Sequence, residues 1–114
     1  MNKVEIKEMQ ITVHEWISRF EEGYWSPPSM MLRLTEEVGE LAREVNHLYG
    51  QKPKKPGEPE GELALELADI LFIITAMANS LAIDLEDAFK RTMEKYYTRD
   101  ADRWTKKQEP GSAR

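Results

Sequence analysis

The chain has 114 residues, with 21 Asp and Glu against 16 Lys and Arg and a formal net charge of -5. That balance argues against non-specific nucleic-acid binding, which needs a basic face; with no cysteine, disulfides, thiolate zinc sites and cysteine nucleophiles are excluded. A 40% hydrophobic fraction suffices for one core, and MNKVEIKEMQ lacks the apolar run of a signal peptide, so a single cytoplasmic domain without a membrane span is expected.

Helix formers dominate the periodic segments, and four helices are predicted. The first covers about 6–21, with Ile11, Trp16, Ile17 and Phe20 as its apolar face, and Gly23 and Ser26-Pro27-Pro28 end it. Ser26 or Ser29 caps the second, whose first turn tolerates the prolines and which Gly50 stops after Tyr49. Residues 50–61, GQKPKKPGEPEG, read as an exposed loop. The third helix runs from about Glu62 to Leu81; its ILFII core has strand propensity, but its length and its Ala, Leu and Met surroundings favour helix. Asp84 caps a fourth helix that reaches about Asp102, and 105–114 form a flexible tail after a domain at 1–104. The fold class expected is all-α, a four-helix-bundle-like arrangement.

The second helix carries an apolar stripe of Met31, Leu34, Val38, Leu41, Val45 and Leu48. Glu37, Glu40 and Glu44 flank it, and Glu36 points further away. Acids beside such a stripe ordinarily sit on a solvated face. The third helix is different, because Glu66 and Asp69 lie three residues apart inside the apolar run LALELADILFIITAMA, with Glu62 one turn nearer the loop. Neighbouring buried carboxylates need cations, either Arg and Lys partners or a metal. If the two helices pack, the pairs Glu37/Glu40 and Glu66/Asp69 converge, and an all-oxygen set suits Mg²⁺ or Mn²⁺. Such ions let an acidic protein handle phosphates.

The order Glu36-Glu37-x-x-Glu40 and then Glu66-x-x-Asp69 resembles the EExxE and ExxD hallmark of the MazG-like nucleotide pyrophosphohydrolases. These form part of the all-α nucleoside triphosphate pyrophosphatase superfamily. EEGYWSPPSMMLRLTEEVGELAREVNHLYGQKPKK and RDADRWTKK are similar to the short single-domain YpjD type. The resemblance implies a helical fold that assembles into homodimers or homotetramers. It implies Mg²⁺-dependent hydrolysis of nucleoside or deoxynucleoside triphosphates to the monophosphate and pyrophosphate, with house-cleaning of aberrant nucleotides as an associated role. On it, Glu37, Glu40, Glu66 and Asp69 are the metal ligands, and Glu36 supports them or positions the attacking water.

Other residues are open to two readings. Arg91, Lys95, Arg99 and Arg103 share a drifting face of the fourth helix, as a solvated stripe or, at Lys95 and Arg99, as phosphate contacts. Asn79 either contacts nucleotide or makes a local hydrogen bond. Lys52, Lys54 and Lys55 either reach phosphates or solvate the loop. Trp16, Tyr24 and Trp25 are either core or base-stacking residues. Glu44-x-x-His47 matches half of a carboxylate-bridged di-iron site, but the third helix offers no second His, and His14 has no evident partner. The alternative to an enzyme is a helical module that binds nucleotide or a protein partner without catalysis.

Overall fold

The four helices are α1 (Ile6–Ile17), α2 (Pro27–Tyr49), α3 (Leu63–Ser80) and α4 (Leu85–Thr98). They are seen in a computed structural model that describes residues 4–57 and 61–108. No strand occurs among these residues, and ILFII is helical. Residues 109–114 of the tail expected at 105–114, and 58–60 of the expected loop, lie outside the described residues.

Capping chemistry sets the starts as the sequence implies. Ser26 Oγ accepts the Ser29 N–H at 3.4 Å ahead of the two prolines, and Asp84 Oδ1 accepts the Asp87 N–H at 3.0 Å. Two ends differ from expectation. α1 stops at Ile17, four residues early, because successive tight turns from Ile17 to Phe20 and Phe20 to Gly23 replace the helical ladder. Gly23 takes φ 59°, a left-handed value that glycine adopts without steric cost. α4 stops at Thr98, whose hydroxyl turns back to the Glu94 carbonyl at 2.8 Å.

α2 packs on α3, α1 packs on α3, and α4 packs on α1. The radius of gyration is 19.1 Å, against about 13 Å for a compact domain of this length. The chain is thus an open arrangement, with its core between α1, α2 and α3. Among the described apolar residues only Met30, Ile73, Ala76 and Ala78 are buried. α3 is apolar nearly all round, a pattern that calls for cover on most sides, and within this protomer Leu65, Leu67, Leu71, Phe72 and Ile74 remain exposed. By length and composition α3 is apolar enough to cross a membrane, yet it carries Glu66 and Asp69 and packs on two amphipathic helices.

The apolar stripe of α2 is divided between two faces. Its buried residues are Met30, Glu37 and Glu44, while Met31, Val38 and Val45 are 51%, 47% and 40% exposed. The inward face thus carries Glu37 and Glu44 together with the half-buried Leu34 and Leu41, while Met31, Val38, Val45 and Leu48 of the stripe face outward and Glu40 stays exposed.

Candidate functional site

Packing of α2 on α3 brings the two carboxylate pairs together. Glu37, Glu40 and Glu66 each place a carboxyl oxygen within 4.8 Å of the others'. Glu37 is 2% exposed, Glu66 is half-buried and Glu40 is open to solvent. Asp69, one turn along α3 from Glu66, lies outside this tight group but lines the same cavity as Glu37. Glu36 is exposed and meets Arg33 Nη1 at 3.5 Å.

Arg33 is the residue that the sequence reading missed. Its Nη2 lies 2.7 Å from Glu37 Oε1, an i,i+4 pair whose spacing is visible in the chain. Burial pushes the Glu37 carboxyl above its ordinary value; Arg33 opposes this, and the charges of Glu40, Asp69 and Glu66 add to the rise. Glu37 Oε2 and Glu66 Oε2 are buried without a hydrogen-bond partner. Such orphaned acceptors are costly, and two of them within a carboxylate cluster make a cradle for a cation. The donors are all carboxyl oxygens, the set that hard divalent ions take.

Beside the cluster lies a cavity of about 660 Å³, a size that suits a small organic ligand. Its aromatic wall is Trp16, Phe20, Tyr24, Trp25 and Phe72, and Arg33, Glu37 and Asp69 give it a polar side. Trp16 meets Phe20 edge-on with centroids 5.1 Å apart, and the Arg19 guanidinium sits 5.6 Å over the Trp16 ring. The wall therefore mixes α1, α3 and the turn that ends at Trp25.

A hydrogen-bond network fixes that turn. Tyr24 stacks on His14, and its hydroxyl lies 2.8 Å from His14 Nδ1. Asn79 Nδ2 donates to the Tyr24 hydroxyl at 3.1 Å and to the Gln10 carbonyl at 2.9 Å, while Asn79 Oδ1 accepts from Gln10 Nε2 at 2.9 Å. Gln10 also donates to the Ile83 carbonyl and accepts the Leu85 N–H, each at 2.9 Å. Asn79 thus ties α1, α3 and the cavity turn together, and His14 acquires the partner that the sequence did not reveal.

The remaining candidates lie elsewhere. Lys95 is on α4 and Arg99 is its C-cap, neither lines the cavity, and Arg91 pairs with Asp87 at 2.9 Å. Lys54 lies 3.4 Å from Glu44, and His47 Nδ1 meets the Lys52 carbonyl at 3.0 Å. Glu44 and His47 thus serve the loop rather than half of a di-iron site.

Comparison with known proteins gives a consistent result. The model of the MazG nucleotide pyrophosphohydrolase domain matches residues 25–104. Protein YpjD of Bacillus subtilis (strain 168) is 53% identical over 109 residues, which cover 96% of this chain and 98% of that protein. The crystal structure of YpjD from Bacillus subtilis superimposes with a TM-score of 0.77 at 51% identity, covering 86% of this chain and 100% of that one. The crystal structure of the Bacillus-conserved MazG protein, a nucleotide pyrophosphohydrolase, gives a TM-score of 0.74 at 50% identity, covering 90% and 99%.

Proposed function

The chain belongs to the MazG nucleotide pyrophosphohydrolase domain family, and we propose that it hydrolyses (deoxy)nucleoside triphosphates to the monophosphate and pyrophosphate in a Mg²⁺-dependent reaction. As a member of that family it is a hydrolase of phosphoric anhydrides. The observation that carries the fuller reading is the pair of buried, unpartnered oxygens of Glu37 and Glu66, in a cluster beside an aromatic cavity.

Glu37, Glu40 and Glu66 would hold the ion, with Asp69 completing the set from the cavity side. Mg²⁺, or Mn²⁺ in its place, supplies neutralisation of the phosphate oxygens and a more acidic bound water. Arg33 keeps one oxygen of Glu37 engaged, so the other stays aimed at the cluster. Glu36, outside the cluster, serves to position water at its solvent edge. Water cleaves the anhydride between the α- and β-phosphoryl groups: its oxygen ends on one of the two phosphorus atoms, the bridging oxygen leaves on the other, and its protons pass to the products or to solvent, giving monophosphate and pyrophosphate. Trp25, with Trp16 and Tyr24, offers π-faces for a nucleobase, and every base can stack on such faces, so the wall by itself does not select one. Aberrant nucleotides fall within that range, which supports a house-cleaning role where nucleotide pools lie, in the cytoplasm.

Assembly as a homodimer or homotetramer belongs to the same proposal. The exposed residues Met31, Val38 and Val45 recur every seventh residue, and Leu34, Leu41 and Leu48 fall at the intervening positions of the same heptads. That is the a/d pattern of a helix that seats on another helix. A shallow groove beside Val38, Leu41, Val45 and Tyr49 follows this stripe. Lys95 and Arg99 join the site only if assembly brings α4 of a neighbouring copy over the cavity.

The test is incubation with a panel of canonical and modified triphosphates, with Mg²⁺ and then with chelator, and separation of the products. Metal-dependent monophosphate plus pyrophosphate is expected. Orthophosphate as the product would refute the reaction assigned. Nucleotide binding without any product would favour the non-catalytic module.

A further inference from the structure

Glu44 continues the inward acidic face of α2 one turn beyond Glu40, yet it does not join the carboxylate cluster. It is buried, and its Oε1 accepts the Gly61 N–H at 3.3 Å and lies 3.4 Å from Lys54 Nζ. Gly61 immediately precedes Glu62, the N-cap of α3, whose own side chain makes no capping hydrogen bond. The start of α3 is therefore held by a residue of the neighbouring helix. A Cβ at position 61 would lie 2.7 Å from Glu44 Oε2 and 2.8 Å from its Cδ, so a larger residue there would displace the carboxyl from this position. His47, one turn further along α2, meets the Lys52 carbonyl at the other end of the same loop. Glu66 follows Glu62 by one helical turn, its N–H donating to the Glu62 carbonyl at 3.1 Å.

We infer that Glu44 is a positioning residue: by clasping Gly61 it sets the start of α3 so that Glu66 and Asp69 stand in register with Glu37 and Glu40. The inference rests on the metal-dependent reading above. Lys54 compensates the buried carboxyl, whereas the hydrogen bond to Gly61 sets the register. Glu44 touches neither the ion nor the substrate, so its loss spares nucleotide contacts and disturbs the spacing of the ligands. Residues that orient metal ligands typically change metal affinity by about 10- to 100-fold when altered.

The experiment measures Mn²⁺ uptake without nucleotide, from the electron paramagnetic resonance of the free ion, together with kcat and KM for a hydrolysed triphosphate. Glu44→Ala and Gly61→Ala should each weaken Mn²⁺ binding about tenfold and lower kcat, with KM for the nucleotide nearly unchanged. Glu44→Gln keeps an oxygen that accepts from Gly61 and should restore most of the affinity. Lys54→Met leaves the clasp in place and should bind Mn²⁺ as the wild type does. Circular dichroism identifies any variant that fails to fold; Gly61→Ala tests the clasp with Glu44 itself intact. Wild-type Mn²⁺ affinity in folded Glu44→Ala or Gly61→Ala would overturn the inference while sparing the metal site. Absence of Mn²⁺ uptake by the wild-type protein would overturn the metal-dependent reading and this inference with it.

Discussion

Replacing Glu37 by Gln should stabilise the metal-free protein and at once abolish ion binding at the metal site proposed for it. Glu40 and Glu66 offer oxygens within 4.8 Å of Glu37, and at an effective dielectric constant near 20 each such like charge costs at least about 3 kcal/mol. The Arg33 guanidinium at 2.7 Å returns about 6 kcal/mol on the same scale. Solvent screening reduces that return, because the Arg33 side chain is half-exposed. The pairwise contributions nearly cancel, so the burial of the charge decides the sign, in accord with the raised pKa of this carboxyl. Glutamine keeps the volume and an oxygen for Arg33 but carries no charge to bury. A gain of about 1 kcal/mol is expected in the metal-free state, seen as a rise of about 4 °C in Tm at a fixed protein concentration. Mn²⁺ affinity should fall by at least the ~100-fold seen for groups that merely orient ligands, and turnover should vanish. A lower Tm combined with undiminished Mn²⁺ binding would refute both halves of the reasoning.

The same carboxyl fixes a pH dependence. Because its folded-state pKa is raised, the folded protein binds more protons than the unfolded chain between the ordinary glutamate value and the raised one. Metal-free stability should therefore fall as pH rises through that window, while Mn²⁺ affinity climbs over the same range; denaturant titrations and Mn²⁺ titrations at stepped pH would check the opposing slopes. Asn79→Ala removes hydrogen bonds to Gln10 and Tyr24 and should cost about 2 kcal/mol, read from thermal unfolding. Val38→Glu places a charge in the middle of the exposed apolar stripe and should shift the sedimenting species toward the 13.3 kDa protomer. Trp25→Ala removes one face of the cavity wall and should raise KM for a triphosphate roughly tenfold, with kcat little changed, in steady-state assays.

Local chemistry was legible in the sequence where it acts over a few residues. Ser26, Pro27, Pro28 and Asp84 mark helix starts because capping and ring geometry depend only on near neighbours. The i,i+3 spacing of Glu37 with Glu40, and of Glu66 with Asp69, placed each pair on one helix face before any packing was known. Nothing local could reveal that Asn79 would bind Gln10, or that Glu44 would bind Gly61, because those partners lie far apart in the chain and neither residue type demands a particular one. Arg33 was accessible to the same spacing argument that selected the acids, since it stands four residues before Glu37.

The division of the apolar stripe on α2 shows where such reasoning meets its physical limit. Met30, Glu37 and Glu44 repeat every seven residues, and so do Met31, Val38 and Val45, displaced by a single position. One residue is about 100° of helix, so the two registers define distinct faces of equal regularity. Hydrophobicity ranks the second as the buried one, and for an isolated amphipathic helix that ranking is sound. Here α3 sets the first against itself, because only that face lets Glu37 and Glu40 meet Glu66. Apolar residues left outside and a carboxylate buried at Glu37 are each unfavourable taken alone. On the proposed reading a second helix covers the former and a cation the latter, which would couple protomer stability, assembly and metal binding through the two sides of one helix.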